Sequence, residues 1–146
     1  MKYLFLALSL SMVLFVGCGG TDARIRTEMV VGTITLNGIP LSNATITFHP
    51  QSGSEVASGL SKDDGTFVVT SQNGATGKGA VAGEYAITVS KSEITFVTVE
   101  TAAGPISDAV YGPQLIPAQY LDKTKTPLKV EVKKGKNTIQ LDVVSK

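Results

Sequence analysis

Hydrophobic and polar residues alternate along most of this chain with a period of two. Val30, Gly32, Ile34 and Leu36 fall on one face of an extended segment, and Val31, Thr33 and Thr35 on the other. Ala44, Ile46 and Phe48 alternate with Thr45, Thr47 and His49, and Phe67 and Val69 with Thr66, Val68 and Thr70. Tyr85, Ile87 and Val89 alternate with Ala86, Thr88 and Ser90. Near the C-terminus Leu128, Val130 and Val132 alternate with Lys129, Glu131 and Lys133, then Ile139, Leu141 and Val143 with Thr138, Gln140 and Asp142. A weaker, glycine-interrupted run puts Val56, Ser58 and Leu60 on one face. Successive side chains of a strand point to opposite faces, so each run predicts a half-buried strand.

Turn residues separate the runs. Asn37-Gly38 supplies the positive φ angles of a tight hairpin, Asp63-Asp64-Gly65 reads as a turn, and Gly135 marks another. No segment after the N-terminal region repeats at i, i+3 and i+4. Seven short alternating strands predict an all-β, antiparallel sandwich of two stacked sheets. Its expected core is Val30, Ile34, Leu36, Ile46, Phe48, Leu60, Phe67, Val69, Tyr85, Ile87, Val89, Leu128, Val130, Val132, Ile139 and Leu141.

Two stretches break the pattern. Ser71 to Gly83 is glycine-rich and reads as a mobile loop. Its GATGKG lacks the G-x-x-x-x-G-K-[ST] spacing of a phosphate loop. Residues 93–126 form a long irregular insertion. Ile94 and Phe96 keep one phase, Val97 and Val99 take the other, and Gly-Pro and Ile-Pro pairs follow. The phase change predicts a bulge or an edge strand. Tyr111, Leu115 and Tyr120 are its candidates for a contact surface, although Tyr120 is also placed to close one end of the sandwich.

The N-terminus has a different pattern. Tyr3 to Val16 is almost wholly apolar behind Lys2. Fourteen residues span about 21 Å as a helix, short of a bilayer but right for the apolar region of an export signal. Phe15-Val16-Gly17-Cys18 resembles a bacterial lipoprotein lipobox, with Phe15 where that family most often has Leu. The resemblance implies cleavage between Gly17 and Cys18 and lipid attachment to the Cys18 thiol. Residue 19 is Gly rather than the Asp that favours inner-membrane retention in enteric bacteria, which favours the outer membrane. Three regions follow: a signal peptide over 1–17, a lipidated N-terminus and tether over 18–28, and a β domain over 29–146. Arg24 and Arg26 sit close to the expected anchor, where ordinary solvated charge is the simpler reading and contact with anionic lipid the other.

Composition narrows the chemistry. One Cys excludes an internal disulfide and a Cys-rich zinc site, and one His excludes paired-His metal motifs. The net charge of +1 falls to zero once Lys2 is removed, which argues against a nucleic-acid surface. No cofactor, metal site or catalytic residue is expected. Asp63 and Asp64 are too few for the oxygens Ca2+ takes. His49 would have to be the base of any serine hydrolase, but it sits on a polar strand phase before Pro50. Lys123, Lys125, Lys129, Lys133, Lys134 and Lys136 are interspersed with Asp122, Glu131 and Asp142 and read as a solvated face.

The stretches VVGTITLNGIPLSNATITFHP, SGLSKDDGTFVVT and GEYAITVSK together resemble a carboxypeptidase regulatory-like domain. The tail from Leu115 to Val143 is similar to that of small lipoproteins common in planctomycete-type bacteria. The resemblance implies a transthyretin-like, seven-stranded Greek-key sandwich without catalytic residues. The expectation is therefore a monomeric, non-catalytic, lipid-anchored, extracytoplasmic module with a structural or protein-interaction role at the cell envelope, its partner an envelope protein or a glycan. A carbohydrate- or ion-binding accessory is the alternative, and a hydrolase is the remotest class.

Overall fold

The computed structural model describes residues 25–53, 55–71 and 78–145. The export segment, Gly17, Cys18 and the start of the tether lie outside the described residues, as do residues 72–77 of the glycine-rich loop.

The described chain is almost entirely β, consistent with an all-β sandwich. In order, its strands are β1 (Val30–Leu36), β2 (Ile39–Pro40), β3 (Thr45–Pro50), β4 (Ala57–Leu60), β5 (Thr66–Val68), β6 (Thr70–Ser71), β7 (Gly83–Ser90), β8 (Ser92–Thr101), β9 (Gly104–Gln114), β10 (Lys129–Val132) and β11 (Asn137–Val143). One sheet runs β11-β1-β2, with β5 pairing beside β2 on the same edge of β1. The second runs β10-β7-β3-β4-β6, and β8 and β9 form a separate two-stranded ribbon. Strands occupy every alternating run, but the count exceeds seven. The run through Val69 divides into β5 and β6, β2 adds a short pairing, and the ribbon is new.

Two expectations need correction. β1 and β11 pair in parallel, from Val30↔Asn137 to Leu36↔Val143, so the fold is not wholly antiparallel. A parallel pair needs a long crossover, and the whole intervening domain supplies it. Residues 93–126 are also not irregular throughout, because β8 and β9 occupy Ser92–Gln114. Neither face of that ribbon is covered by the sandwich, so the usual inside–outside alternation has no reason to appear there.

One core lies between the two sheets. Phe48 meets Tyr85 edge-on at 5.8 Å and Phe67 at 6.5 Å, and Ile34, Ile46, Ile87, Val89 and Leu141 are fully enclosed around them. Leu36, Leu128, Val130 and Ile139 pack against this cluster only in part. Leu60 leaves the expected core altogether and is 60% exposed. β4 instead turns Ala57 and Gly59 inward, opposite Phe48 and Ile46. A Cβ at Gly59 would stand 2.6 Å from the Val68 carbonyl oxygen, so that side of β4 has room only for small residues.

The sandwich has two distinct ends. The chain enters beside Ala80, through the Glu28↔Ala80 bridge, and beside the β10–β11 turn, where the Asn137 N–H donates to the Met29 carbonyl at 2.8 Å. β1 then crosses to the far end, about 23 Å away for seven residues. There Asn37 and Gly38, with φ of 52° and 81°, turn the chain back, as the Asn-Gly pair predicts. β7 travels in the same direction and delivers its C-terminus to that far end, where Lys91 Nζ approaches Ser42 Oγ at 3.4 Å.

Candidate functional site

Only Lys91 separates β7 from β8, so the ribbon grows directly from the far end of the second sheet. A register shift between Ser92 and Ile94 bends it at the base. At its tip the Thr101 hydroxyl donates to the Gly104 carbonyl at 2.6 Å, and Gly104 adopts φ of 114°. At the base, Leu115 N–H donates to the Lys91 carbonyl at 2.9 Å and closes the excursion.

The register assigns the two faces. Ile94 pairs with Tyr111 and Phe96 with Ala109 on one face, while Thr95 pairs with Val110 and Val99 with Ile106 on the other. Phe96 and Tyr111 are each 72% exposed, and Ile94, Val97, Val99, Ile106 and Val110 are exposed as well. Isolated two-stranded ribbons are marginal in water, and apolar side chains on both faces lower their solubility further. Between Ser92 and Gln114 the charged residues are Glu93, Glu100 and Asp108, all acidic. Pro105 and Pro113 each remove an N–H donor from β9, while β8 contains neither Pro nor Gly. Among the described residues β8 pairs with β9 alone, so its other edge keeps unpaired N–H and C=O groups.

Under the ribbon's base lies an open cleft of about 320 Å3. Tyr111, Ile94 and the displaced Leu60 give it apolar walls, and Asn43, Ser90 and Gln114 give it polar ones. Tyr111 and Leu115, expected as contact residues, are both exposed, Leu115 at 41%. Ile94, Phe96 and Leu60 join them, from positions to which alternation assigns no contact role. The available signal was the run of apolar residues in both phases with no basic residue among them. Of the two roles expected for Tyr120, closing the end of the sandwich holds and the contact surface is corrected: the residue is 4% exposed, and its phenolic oxygen accepts the Val144 N–H at 3.1 Å. The short 3-10 helix Ala118–Tyr120 drives that ring into the end of the core beside buried Ile116, so it offers no contact surface. Gly17 and Cys18, the expected processing site, lie outside the described residues.

His49 lies on the outer face of the second sheet, with Nε2 2.9 Å from Thr88 Oγ1. Partial burial, and then the positive charge of Lys123, hold its pKa below 6.5. Lys123 is opposite in sign to the carboxylate that orients the histidine of a catalytic triad. Asp64 is committed to a local turn, accepting from the Thr66 hydroxyl at 2.7 Å and the Thr66 N–H at 2.9 Å. Asp122 makes the same pair of bonds with Thr124. Among the described residues no three His, Cys, Asp or Glu side chains gather as metal ligands, and no helix is long and apolar enough to cross a membrane.

No family model, curated protein or solved structure matches this chain.

Proposed function

We propose that this chain is a lipid-anchored, extracytoplasmic β-sandwich that acts as a non-catalytic protein-interaction module at a bacterial cell envelope. Its core is read as the seven-stranded Greek-key arrangement of a carboxypeptidase regulatory-like domain, with the β8–β9 ribbon as an addition. The observation that carries the interaction reading is the ribbon itself, exposed and apolar on both faces, with a free β8 edge. A free edge lets an extended segment of a partner add as a further strand, and Ile94, Phe96 and Tyr111 supply side-chain specificity. Three acidic residues and no basic one on the ribbon favour a partner segment that is apolar and basic. The Cys18 lipobox resemblance supports the anchoring.

A photocrosslinking residue in place of Phe96, in cells producing the full chain, tests the interaction. The expected result is one or a few discrete protein adducts, lost when Ile94→Ser and Tyr111→Ser are added. Absence of any protein adduct rejects the reading. For the anchor, Cys18→Ala is expected to abolish labelling by a clickable fatty acid, and labelling that survives rejects it. A second reading, sugar binding, is favoured by Tyr111 standing exposed over a cleft with Asn43, Ser90 and Gln114. Selective glycan binding removed by Tyr111→Ala would establish it.

A further inference from the structure

The Asn37-Gly38 turn carries chemistry as well as shape. Leu36 pairs with Ile39, so Asn37 and Gly38 are the two central residues of the hairpin, both at positive φ and both exposed. Positive φ at both positions makes this a type I′ turn. The Asn37 N–H donates to the Val143 carbonyl at 2.9 Å. Its side chain reaches the exposed residues that follow β11. Nδ2 donates to Ser145 Oγ at 2.6 Å, and Oδ1 accepts the Ser145 N–H at 3.0 Å. Both polar atoms of the carboxamide are thus committed to one residue. The Gly38 N–H, by contrast, has no hydrogen-bond partner among the described residues. Nothing stands within 4 Å of the position a Gly38 Cβ would take.

An asparagine followed by glycine can react with its own main chain. The Gly38 nitrogen, once deprotonated, attacks Asn37 Cγ. The new N–Cγ bond closes a five-membered succinimide, and Nδ2 leaves as ammonia. Water then opens the ring at either carbonyl and leaves aspartate or isoaspartate, so the step needs neither oxidant nor reductant. Glycine has no Cβ to screen the attacking nitrogen. Two features of the fold oppose the reaction. The I′ turn sets the Asn37 ψ near about +30°, which turns the Gly38 nitrogen away from the Asn37 side chain. Ser145 also holds the carboxamide by both atoms, so the side chain must leave Ser145 before ring closure. Exposed residues beyond a last strand are the first to fray. We propose that Asn37 is a self-modification site, converted to aspartate and isoaspartate at a rate gated by Ser145. Isoaspartate routes the main chain through Cγ and adds a methylene to a two-residue turn, which displaces the Leu36↔Ile39 register. Either product adds a negative charge to the end from which the ribbon projects.

The test incubates the full chain at mildly alkaline pH and follows it by peptide mass mapping. Each conversion adds one mass unit, and chromatography separates the aspartate and isoaspartate peptides. Asn73-Gly74, the other Asn-Gly pair, serves as an internal reference. Asn37 is expected to convert more slowly in the folded chain than in urea, with isoaspartate among the products. Ser145→Ala removes the Oγ acceptor and is expected to speed conversion about five-fold, the worth of one hydrogen bond. Deletion of residues 145–146 removes both contacts and is expected to speed it further. The rate at Asn73 is expected to stay the same in both variants. Thermal melting is recorded on the same samples. Acceleration confined to Asn37, at an unchanged midpoint, supports the gate. Conversion at Asn37 that ignores Ser145, or that is absent from the folded chain and from both variants, overturns it.

Discussion

The ring of Phe67 lies across Gly32, its partner on the neighbouring strand. A Cβ at Gly32 would stand 2.5 Å from the ring Cζ and collide with the Ile139 carbonyl oxygen. Gly32 occupies an inward position of β1, and the ring from β5 fills the volume its missing side chain leaves. Gly32→Ala is expected to cost about 1–3 kcal/mol by overpacking. Phe67→Ala is expected to cost about 3–5 kcal/mol by opening a cavity. Urea denaturation of Gly32→Ala with Phe67→Leu is expected to show a smaller loss than the sum of the single changes, since the two groups contest one space. Strict additivity would show that the ring does not sit there.

Tyr120 and Tyr111 belong to the same stretch of chain but are expected to behave oppositely. Tyr120→Ala removes a buried ring and is expected to cost about 3–5 kcal/mol. Tyr120→Phe strands the Val144 N–H and is expected to cost about 1 kcal/mol. Tyr111→Ala is expected to change stability by no more than about 0.5 kcal/mol while weakening partner capture. Thermal melting together with crosslinking separates the two roles.

The pair was only partly legible in sequence. Both tyrosines stand in a segment without a period, and periodicity alone assigns neither a face. Ile116 and Tyr120 are buried because the chain must return from the far end to begin β10, which drags them across the open end of the core. Leu60 was misplaced for a related reason. Its alternation with Ser58 and Val56 looks like a core face by hydrophobicity. The rings of Phe48 and Phe67 already occupy the space under β4, however, so its small residues go inward and Leu60 goes out.

Glu28 ties the entry segment to the β10–β11 turn through the Gly135 N–H. Glu28→Gln keeps an acceptor and is expected to lose little stability. Glu28→Ala leaves that N–H without its partner and is expected to cost about 1–3 kcal/mol. Hydrogen exchange at Gly135 is expected to accelerate in the alanine variant alone; equal rates in both variants would remove Glu28 from this role.

Stability is expected to decline in two steps as pH falls. His49 has a lowered pKa, so the unfolded chain binds its proton first. Its contribution is full above 6.5 and is lost as pH drops through the lowered value. The Thr66 and Thr124 hydroxyls, and then their N–H groups, hold Asp64 and Asp122 below the usual value near 3.8. Their contribution is full above 3.8 and is lost as pH falls through the folded values. Urea midpoints followed across this range are expected to flatten below pH 6.5 in His49→Gln, and below 3.8 in Asp64→Asn with Asp122→Asn. An unchanged profile in either variant would assign that step elsewhere.

By itself the sequence determined the strand class, the faces of β1, β3, β5, β7 and β11, and the Asn37-Gly38 turn. Each of these is local, fixed by alternation at i and i+2 or by the φ that one residue tolerates. Only the tertiary structure decided that β1 pairs in parallel with β11, that β4 turns Leu60 outward, and that Ser92 to Gln114 stands free as a ribbon. It alone brought Ser145 onto the Asn37 carboxamide. Those outcomes depend on which strands meet and which rings have already filled a space, and residues far apart in the chain settle both.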